Sequence, residues 1–375
     1  MTNSWSKTCP PHRNMPKATT IESLPDELIF EILVRVPAQD LYDSTRLVCR
    51  EWYNMIQTRN FAHSHFQRST PGHLIVGWFK REQTFITMQK GRIEMSKLNY
   101  GFNHIVLTSC NGLLLEKRHG NLNLNELYIA NPVTKQRFAL PPFISGKETD
   151  REMLSLAYVD SSRAYKVVRV SYSSRDSNDL VCAIMTVGVD TDWTRRVSTQ
   201  HLSLKAKELL YEFPLTTRGF FHWVRNGISE YVLTMNVESE IITQIPGPCL
   251  RNDGRYVRCS YLPMGSYLSM FIDRDEFSWE VWKMKPETGE WTKMLNIDLE
   301  PQKLPKHLSS KSRLQPVGWS NSREVFFYGI CFIDSPSGTR MSIAYNVGTR
   351  EMDSGKLKTC PSSFLNHIGS LLWLD

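Results

Sequence analysis

The hydrophobic pattern of the chain changes once, close to residue 70. In residues 21–66, apolar side chains recur three and four positions apart, which is the spacing of amphipathic helices. From residue 73 onward, short apolar runs alternate with Gly, Pro, Asn and Asp, which is the pattern of strands and turns. The sequence therefore predicts a disordered tail at 1–20, a helical module at 21–66, a polar linker at 67–72 and an all-β domain at 73–375.

The first predicted helix begins at Pro25 and ends before Pro37. Pro25 suits the first helical position, where no backbone N–H is needed, and Asp26 and Glu27 suit the positively polarised helix N-terminus. Pro37 is expected to end the helix because its ring clashes with the preceding turn. One face of this helix carries Leu28, Ile29, Ile32, Leu33 and Val36.

A second helix is predicted from about Leu41, and a third, short helix is predicted with Asn60 as its N-cap. The side chains expected on the buried side of the second helix are Thr45, Val48, Cys49, Trp52 and Ile56. The third helix runs through Phe61 and Phe66. Three helices of this size cannot bury all of these apolar side chains among themselves. We therefore expect a partner protein to cover part of the module.

Four motifs in this module resemble the F-box. They are Leu24-Pro25-Asp26-Glu27-Leu28, Ile32-Leu33, Val36-Pro37 and Val48-Cys49-Arg50-Glu51-Trp52, in that order along the chain. An F-box docks on a Skp-family adaptor, so the resemblance implies that the apolar residues of the module bind such an adaptor. The residues implied are Leu24, Pro25, Leu28, Ile29, Ile32, Leu33, Val36, Pro37, Leu41, Val48, Cys49 and Trp52. A helical cap packed on a larger core is the alternative.

A strand, a polar turn and a second strand recur along the β domain. The turns are Asn131-Pro132-Val133-Thr134, Asn236-Val237-Glu238-Ser239, Lys285-Pro286-Glu287-Thr288 and Asn346-Val347-Gly348-Thr349, with Asp190-Thr191-Asp192-Trp193 as a looser copy and Gln89-Lys90-Gly91-Arg92 as a degraded first one. Anchors at 131, 190, 236, 285 and 346 are 59, 46, 49 and 61 residues apart, which suits one four-stranded blade per repeat. The pattern predicts a six-bladed β-propeller, or five blades if 74–98 forms none. An open sandwich is the alternative.

Radial stacking of blades would bury both faces of each sheet, and Ser370 to Leu374 lies where a closing strand is needed. Further motifs resemble the F-box-associated domain of plant F-box proteins, which is a Kelch-like propeller. They are Ser109-Cys110-Asn111-Gly112-Leu113-Leu114, the Asn131-Pro132 turn ending in Leu140-Pro141-Pro142, and Gly219-Phe220-Phe221-His222-Trp223. The paired glycines of well-formed Kelch repeats are not found.

Composition narrows the class of protein further. The net charge of +7 is spread over 375 residues without a block of five like charges, so it does not indicate nucleic acid as a partner. The eight cysteines never form C-x-x-C, which argues against a zinc site or a disulfide framework. Neither a signal peptide nor a membrane-spanning apolar run is found. We expect a protein of a reducing compartment, cytoplasmic, nuclear or both.

Candidate chemical groups are few and scattered. They are His63 with His65, His222, Cys249, Cys259, and the acidic cluster Asp273, Asp275 and Glu276. None is spaced to combine a nucleophile, a base and a stabilising group, and phosphate-binding signatures are missing. No catalytic residue, metal site or cofactor is therefore predicted. The best candidate for binding an acidic partner is the loop that carries Arg251, Arg255, Tyr256 and Arg258.

The two resemblances together imply a non-catalytic adapter. The F-box would bind a Skp-family adaptor and, through it, cullin and RING subunits. The propeller would hold an unidentified target protein for ubiquitination. One alternative is an F-box protein that sequesters or regulates its partner without degradation, and another is a propeller enzyme or sugar-binding module.

Overall fold

The structure, a computed structural model, describes residues 24–77, 84–89, 92–102, 104–119, 124–144, 152–172, 180–227, 230–248, 258–300, 313–321, 323–331, 339–357 and 361–374. These residues form a helical module, a ring of six β-sheets and a C-terminal segment without regular secondary structure. No helix within these ranges is long and apolar enough to cross a membrane.

The helical module contains four short α-helices and a 3-10 turn. They are α1 (Asp26–Leu33), α2 (Ala38–Asp43), the 3-10 turn Thr45–Leu47, α3 (Arg50–Ile56) and α4 (Arg59–Arg68). Pro37 is the N-cap of α2, whereas α1 already ends at Leu33. Thr58, and not Asn60, caps α4, because its hydroxyl oxygen accepts the N–H of Phe61 at 3.2 Å.

The second predicted helix is divided between α2, the 3-10 turn and α3. The hydroxyl groups of Ser44 and Thr45 both donate to the carbonyl oxygen of Asp40, at 2.9 and 3.0 Å. Such side-chain bonds compete with continued helical pairing and favour an end to the helix at this point. The break turns Val48 outward, so that this side chain, predicted to be buried, is 63% exposed.

Strands of the first three blades follow the helices. The first blade contains β1 (Pro71–Gly77), β2 (Thr84–Gln89) and β3 (Arg92–Lys97). The second contains β4 (Ile105–Cys110), β5 (Leu113–His119), β6 (Leu124–Ala130) and β7 (Arg137–Ala139), and the short β8 (Phe143–Ile144) pairs with β6. The third contains β9 (Glu152–Val159), β10 (Ala164–Tyr172) and β11 (Leu180–Thr186).

A short helix, α5 (Leu204–Lys207), and a 3-10 turn, Glu208–Tyr211, lie before the fourth blade. The fourth blade contains β12 (Leu215–Thr217), β13 (Phe220–Trp223), β14 (Tyr231–Asn236) and β15 (Ile241–Pro246). The fifth contains β16 (Cys259–Met264), β17 (Tyr267–Asp275), β18 (Ser278–Lys285) and β19 (Glu290–Asp298). The sixth contains β20 (Arg313–Asn321), β21 (Glu324–Cys331), β22 (Thr339–Asn346) and β23 (Met352–Lys356), and the last strand is β24 (Pro361–Ile368).

The repeated polar turns connect the third and fourth strands of the blades. In three of them an asparagine side-chain oxygen accepts two backbone N–H groups of the turn: Asn131 at 2.8 and 3.1 Å, Asn236 at 2.9 and 3.0 Å, and Asn346 at 3.0 and 3.0 Å. The turn of the third blade begins at Thr186 and not at Asp190, whose carboxylate accepts the Thr186 N–H at 2.6 Å. The repeat and the six-bladed propeller are confirmed.

Each pair of neighbouring blades shares an apolar core. Between the third and fourth blades it contains the fully buried Trp223. Between the fifth and sixth it contains Trp279, whose ring centre lies 4.6 Å from that of Phe327 with the planes tilted by 37°. This arrangement buries both faces of every sheet, which a single sheet cannot do by itself.

The ring closes through β24, which pairs in antiparallel register with β1 along the whole of that strand. The last strand of the chain thereby completes the first blade, next to the inner strands β4 and β20. The prediction that residues 370–374 form the closing strand was wrong. Residues 369–374, which we call the C-terminal segment, leave the sheet and form no strand.

The C-terminal segment lies between the helical module and the propeller. The side-chain amide of Asn131 donates to the carbonyl oxygens of Ser370, at 3.0 Å, and Leu372, at 2.7 Å. Leu371 packs against the core of the helical module, and Trp373 packs against the core between the second and third blades. The segment thus contacts both modules, and it begins beside the chain crossing between them, because Ile368 pairs with Pro71.

Further contacts join the modules. Helix α4 ends at Arg68 and β1 begins at Pro71, so the connection is shorter than the polar linker expected from the sequence. The Asp43 carboxylate accepts a hydrogen bond from the Asn99 amide at 3.3 Å and lies 3.7 Å from the Lys135 ammonium. The helical module is therefore held against the propeller and does not stand away from it.

The two faces of the propeller carry connections of different length. The face toward the helical module, here the module face, carries the turns between first and second and between third and fourth strands, because Pro71 of β1 lies opposite Ile368 at the end of β24. The distal face carries the second-to-third-strand and blade-to-blade connections. The strand ends at Tyr172, Pro246 and Asp298 lie on this face.

Candidate adaptor-binding surface

The apolar stripe of α1 is divided between the inside and the outside of the module. Ile29 and Leu33 are buried together with the fully buried Leu41. Leu28 and Ile32 are one helical turn apart and are 51% and 43% exposed. A stripe at these positions is wider than one helix can bury against so small a core, so half of it faces solvent.

The 3-10 turn and α3 expose more apolar surface. Leu47 is 67% exposed, Val48 63% and Tyr53 43%. Among the residues that the structure describes, five of the twelve large exposed apolar side chains lie in the helical module, which is a small part of the chain. Apolar surface concentrated in this way is typical of a protein–protein interface.

The predicted adaptor-binding residues occupy three kinds of position. Those on the outside are Pro25, Leu28, Ile32, Pro37 and Val48. Those in the core of the module are Ile29, Leu33 and Leu41. Those at the boundary, half-buried, are Leu24, Val36, Cys49 and Trp52. The core residues are buried, so they can support the exposed surface without forming it. Their contribution to adaptor binding stays a prediction.

Two residues of the Val48-to-Trp52 motif also stabilise the helical module itself. The Cys49 sulfur accepts the N–H of Trp52 at 3.5 Å and so caps α3. Trp52 itself packs in part against the core of the module. Leu47 and Tyr53 were not among the predicted residues. Leu47 could not be found by helical spacing, because the helix assumed across it is interrupted.

The predicted binding patch of the propeller can be placed only in part. Arg251, Arg255 and Tyr256 lie outside the described residues. Arg258 is exposed, and its carbonyl oxygen accepts the N–H of Asp273 at 3.0 Å. It directly precedes β16, so it belongs to the distal face.

Two of the candidate histidines are packed structural residues. The Nε2 of His65 lies 2.9 Å from the Val36 carbonyl oxygen, and burial lowers the pKa of this histidine. The ring nitrogens of the fully buried His222 lie 2.8 Å from the Thr217 hydroxyl and 3.0 Å from the Thr234 hydroxyl. Burial lowers the pKa of His222 to about 3, so the ring is neutral at physiological pH.

The structure places the remaining chemical candidates only in part. Burial raises the pKa of Cys259 to about 11, so its thiol is protonated at neutral pH, and Cys249 lies outside the described residues. Asp273 and Asp275 stand in β17, with Glu276 in the hairpin after it. Within the described ranges no three His, Cys, Asp or Glu side chains are grouped so that they could hold a metal ion.

A helical module with exposed apolar side chains, held against a six-bladed propeller, defines a two-module binding protein. The chain matches the family model of the F-box associated beta propeller domain over residues 76–355 and that of the F-box domain over residues 21–64. It therefore belongs to the family of F-box proteins that carry an F-box-associated β-propeller domain.

Known relatives agree with this family. The F-box protein At5g49610 of Arabidopsis thaliana is 24% identical over 295 residues, which cover 73% of this chain and 79% of that protein. The F-box protein At3g08750 of the same plant is 27% identical over 228 residues, which cover 58% of each chain. A solved structure of TolB from Acinetobacter baumannii is similar at a TM-score of 0.42 and 9% identity, covering 85% of this chain and 73% of that chain.

Proposed function

We propose that this F-box protein is the substrate-recognition subunit of a Skp-cullin-F-box ubiquitin ligase. The observation that carries the proposal is the exposed apolar surface of Leu28, Ile32 and Val48 on a module of the F-box family. This surface would dock on a Skp-family adaptor, and the adaptor would bring cullin and RING subunits. The chain itself would then need no catalytic group, because ubiquitin transfer belongs to the other subunits.

The propeller would hold the target protein. Its distal face carries the second-to-third-strand and blade-to-blade connections, and such loops can vary in sequence while the blades are kept. A target bound there would be separated from the adaptor by the body of the propeller. The contribution of this chain to ubiquitination would be proximity, which raises the effective concentration of target lysines near the conjugating enzyme. We place this activity in the cytoplasm, the nucleus or both.

Adaptor binding is tested by substituting two exposed residues, Leu28→Ala with Val48→Ala. Truncating central apolar residues of an interface costs about 2–4 kcal/mol, which lowers affinity roughly 30- to 1,000-fold. We expect that loss when binding of a purified Skp-family adaptor is measured by calorimetry. The double variant Val189→Ala with Ile241→Ala is the matched control, since these residues are 72% and 58% exposed on the propeller.

Substitution at these positions is preferable to Leu24→Ala with Pro25→Ala, because Leu24 packs in part against the core of the module. Full adaptor affinity in the Leu28 and Val48 variant, with normal thermal unfolding, would contradict the F-box role of this surface. In cells, the same variant should lengthen the lifetime of proteins that co-purify with the propeller. An unchanged lifetime would mean that the chain sequesters its partner without degradation.

A further inference from the structure

A cavity of about 860 Å³ lies where the helical module meets the module face of the propeller. Helix α4 contributes His63 and Phe66 to its lining, and the C-terminal segment contributes Leu372 and Trp373. Turns between first and second strands of several blades form the walls. Cavities that bind small molecules commonly have about 300–1,000 Å³, so the volume suits a ligand of ordinary size.

Aromatic rings dominate the apolar part of this lining. They are Phe66, Tyr158, Tyr165, Tyr267, Trp319 and Trp373. Rings of this kind offer flat apolar faces and edges against which another planar group can stack. Trp319 is held in place by its indole N–H, which donates to the Ser269 hydroxyl at 2.9 Å. The lining therefore favours a ligand with a planar apolar body.

The charged side chains of the lining leave one positive charge unmatched. Arg218 is paired with Asp160. Lys283, half-buried on β18, has its ammonium 5.0 Å from the centre of the Tyr267 ring, and within the described ranges it makes no ion pair with a carboxylate. Among the described residues of the lining, its charge is met by the face of the Tyr267 ring but by no carboxylate.

Other partly buried lysines of the propeller are different in this respect. The Lys117 ammonium lies 3.0 Å from the Glu152 carboxylate, and the Lys166 ammonium lies 2.7 Å from that of Glu240. A partly buried charge is stabilised by an opposite charge, which these two lysines have within the chain. At Lys283 the cavity beside it leaves room for an anion to supply that charge.

We propose that this cavity binds a small organic anion with a planar apolar body, and that Lys283 holds the acidic group. The aromatic lining would take up the body of the ligand, and the ammonium would form a charge-assisted hydrogen bond to a carboxylate, sulfonate or phosphate. Because α4 and the C-terminal segment form part of the lining, a bound ligand would contact both modules of the protein.

Two fluorescent probes test the proposal on the full chain. 1-Anilinonaphthalene-8-sulfonate has a planar apolar body and a sulfonate, and N-phenyl-1-naphthylamine has the same body without the charge. We expect one saturable site for the sulfonate probe, weakened about tenfold or more by Lys283→Met, as for loss of a hydrogen bond to a charged group. The same substitution should leave the affinity of the neutral probe within about twofold, and Lys283→Arg should keep the sulfonate affinity.

Lys293→Met is the matched control. Lys293 pairs with Trp282 across the sheet, so its side chain leaves the opposite face of the blade from Lys283, and its ammonium lies 3.4 Å from the Glu280 carboxylate. This variant removes the same net charge outside the cavity and should bind both probes as the parent protein does. The proposal is overturned if the sulfonate probe shows no saturable site. Equal weakening of both probes by Lys283→Met, or equal effects of the two lysine substitutions, would overturn it as well.

Discussion

Asn131→Asp should separate the C-terminal segment from the propeller without undoing the turn that carries it. The side-chain oxygen of Asn131 accepts the N–H groups of Val133 and Thr134, and a carboxylate oxygen can accept them equally. The amide nitrogen donates to the carbonyl oxygens of Ser370 and Leu372, and a carboxylate cannot donate. The substitution therefore keeps the turn, removes the bonds to the segment and places a carboxylate oxygen against its carbonyl oxygens.

The size of the effect follows from the burial of this site. Asn131 has no exposed surface, so the two lost hydrogen bonds, at about 1 kcal/mol each, are accompanied by the cost of leaving a buried polar group facing carbonyl oxygens, about 1–3 kcal/mol. The total of about 3–5 kcal/mol corresponds to a shift of roughly a hundredfold or more toward release of the segment. Acid should reverse part of this loss, because the protonated carboxyl group regains one O–H donor.

Hydrogen exchange read by mass spectrometry measures this release. In Asn131→Asp, peptides covering 369–374 and helices α1 to α4 should exchange about a hundredfold faster or more, while the blades keep their protection. Asn236→Asp and Asn346→Asp are matched controls, since these side chains accept the same turn bonds but do not bond to the C-terminal segment. Equal exchange in all three variants would refute the assignment of Asn131 as the residue that holds the segment.

Three further outcomes are expected. Deleting 361–375 should unfold the propeller because it removes β24, whereas deleting 370–375 should leave the blades folded and loosen the helical module, as circular dichroism and exchange would distinguish. Gly112→Ala should destabilise far more than Gly219→Ala in urea unfolding. Both glycines have positive φ, but an added Cβ would clash with the Ser370 side chain at Gly112, whereas it meets nothing within 4 Å at Gly219. His222→Gln should reduce the loss of stability between pH 7.5 and 5 by about 2 kcal/mol. The unfolded histidine has a pKa of about 6.5, whereas the folded one has a pKa of about 3. The unfolded state therefore binds the proton first, and the free energy of unfolding decreases as the pH is lowered from 7.5 to 5.

The blade plan could be predicted from the sequence because each turn is a local structure. An asparagine that accepts two N–H groups within its own turn fixes the reversal by contacts two and three residues away, as at Asn236. The same local chemistry explains the one misplaced copy. In the third blade the accepting side chain, Asp190, stands at the end of the turn and accepts the N–H of Thr186. A sequence pattern that expects the acceptor at the start of the turn therefore places this turn too late in the chain.

The division of the helical module could not be predicted from spacing. The periodicity across 41–56 is continuous, but Ser44 and Thr45 take up the carbonyl oxygen of Asp40 and end α2. Helical spacing shows which apolar residues would share one face of a helix. It does not show which hydroxyl groups bond to a backbone carbonyl oxygen and so end the helix. As a result Val48 was predicted as buried and is exposed, and this very exposure makes it suitable for contact with a partner.

The role of the C-terminal segment depends on contacts between residues far apart in sequence. Asn131 and Ser370 are 239 positions apart, and the close approach at Gly112 also involves Ser370. The Asn-Pro turn and the Asn-Gly turn, which carried the family resemblance, thus both hold the same segment. Leu371 continues from there into the core of the helical module, so the contacts form one chain from the second blade to the F-box.

On the proposed function, the orientation of the adaptor relative to a target on the distal face would be set by these packed contacts. Linked sites held in one geometry keep a high effective concentration only if that geometry permits transfer. Loosening the segment should therefore alter which target lysines are modified, while adaptor binding through Leu28 and Val48 stays intact.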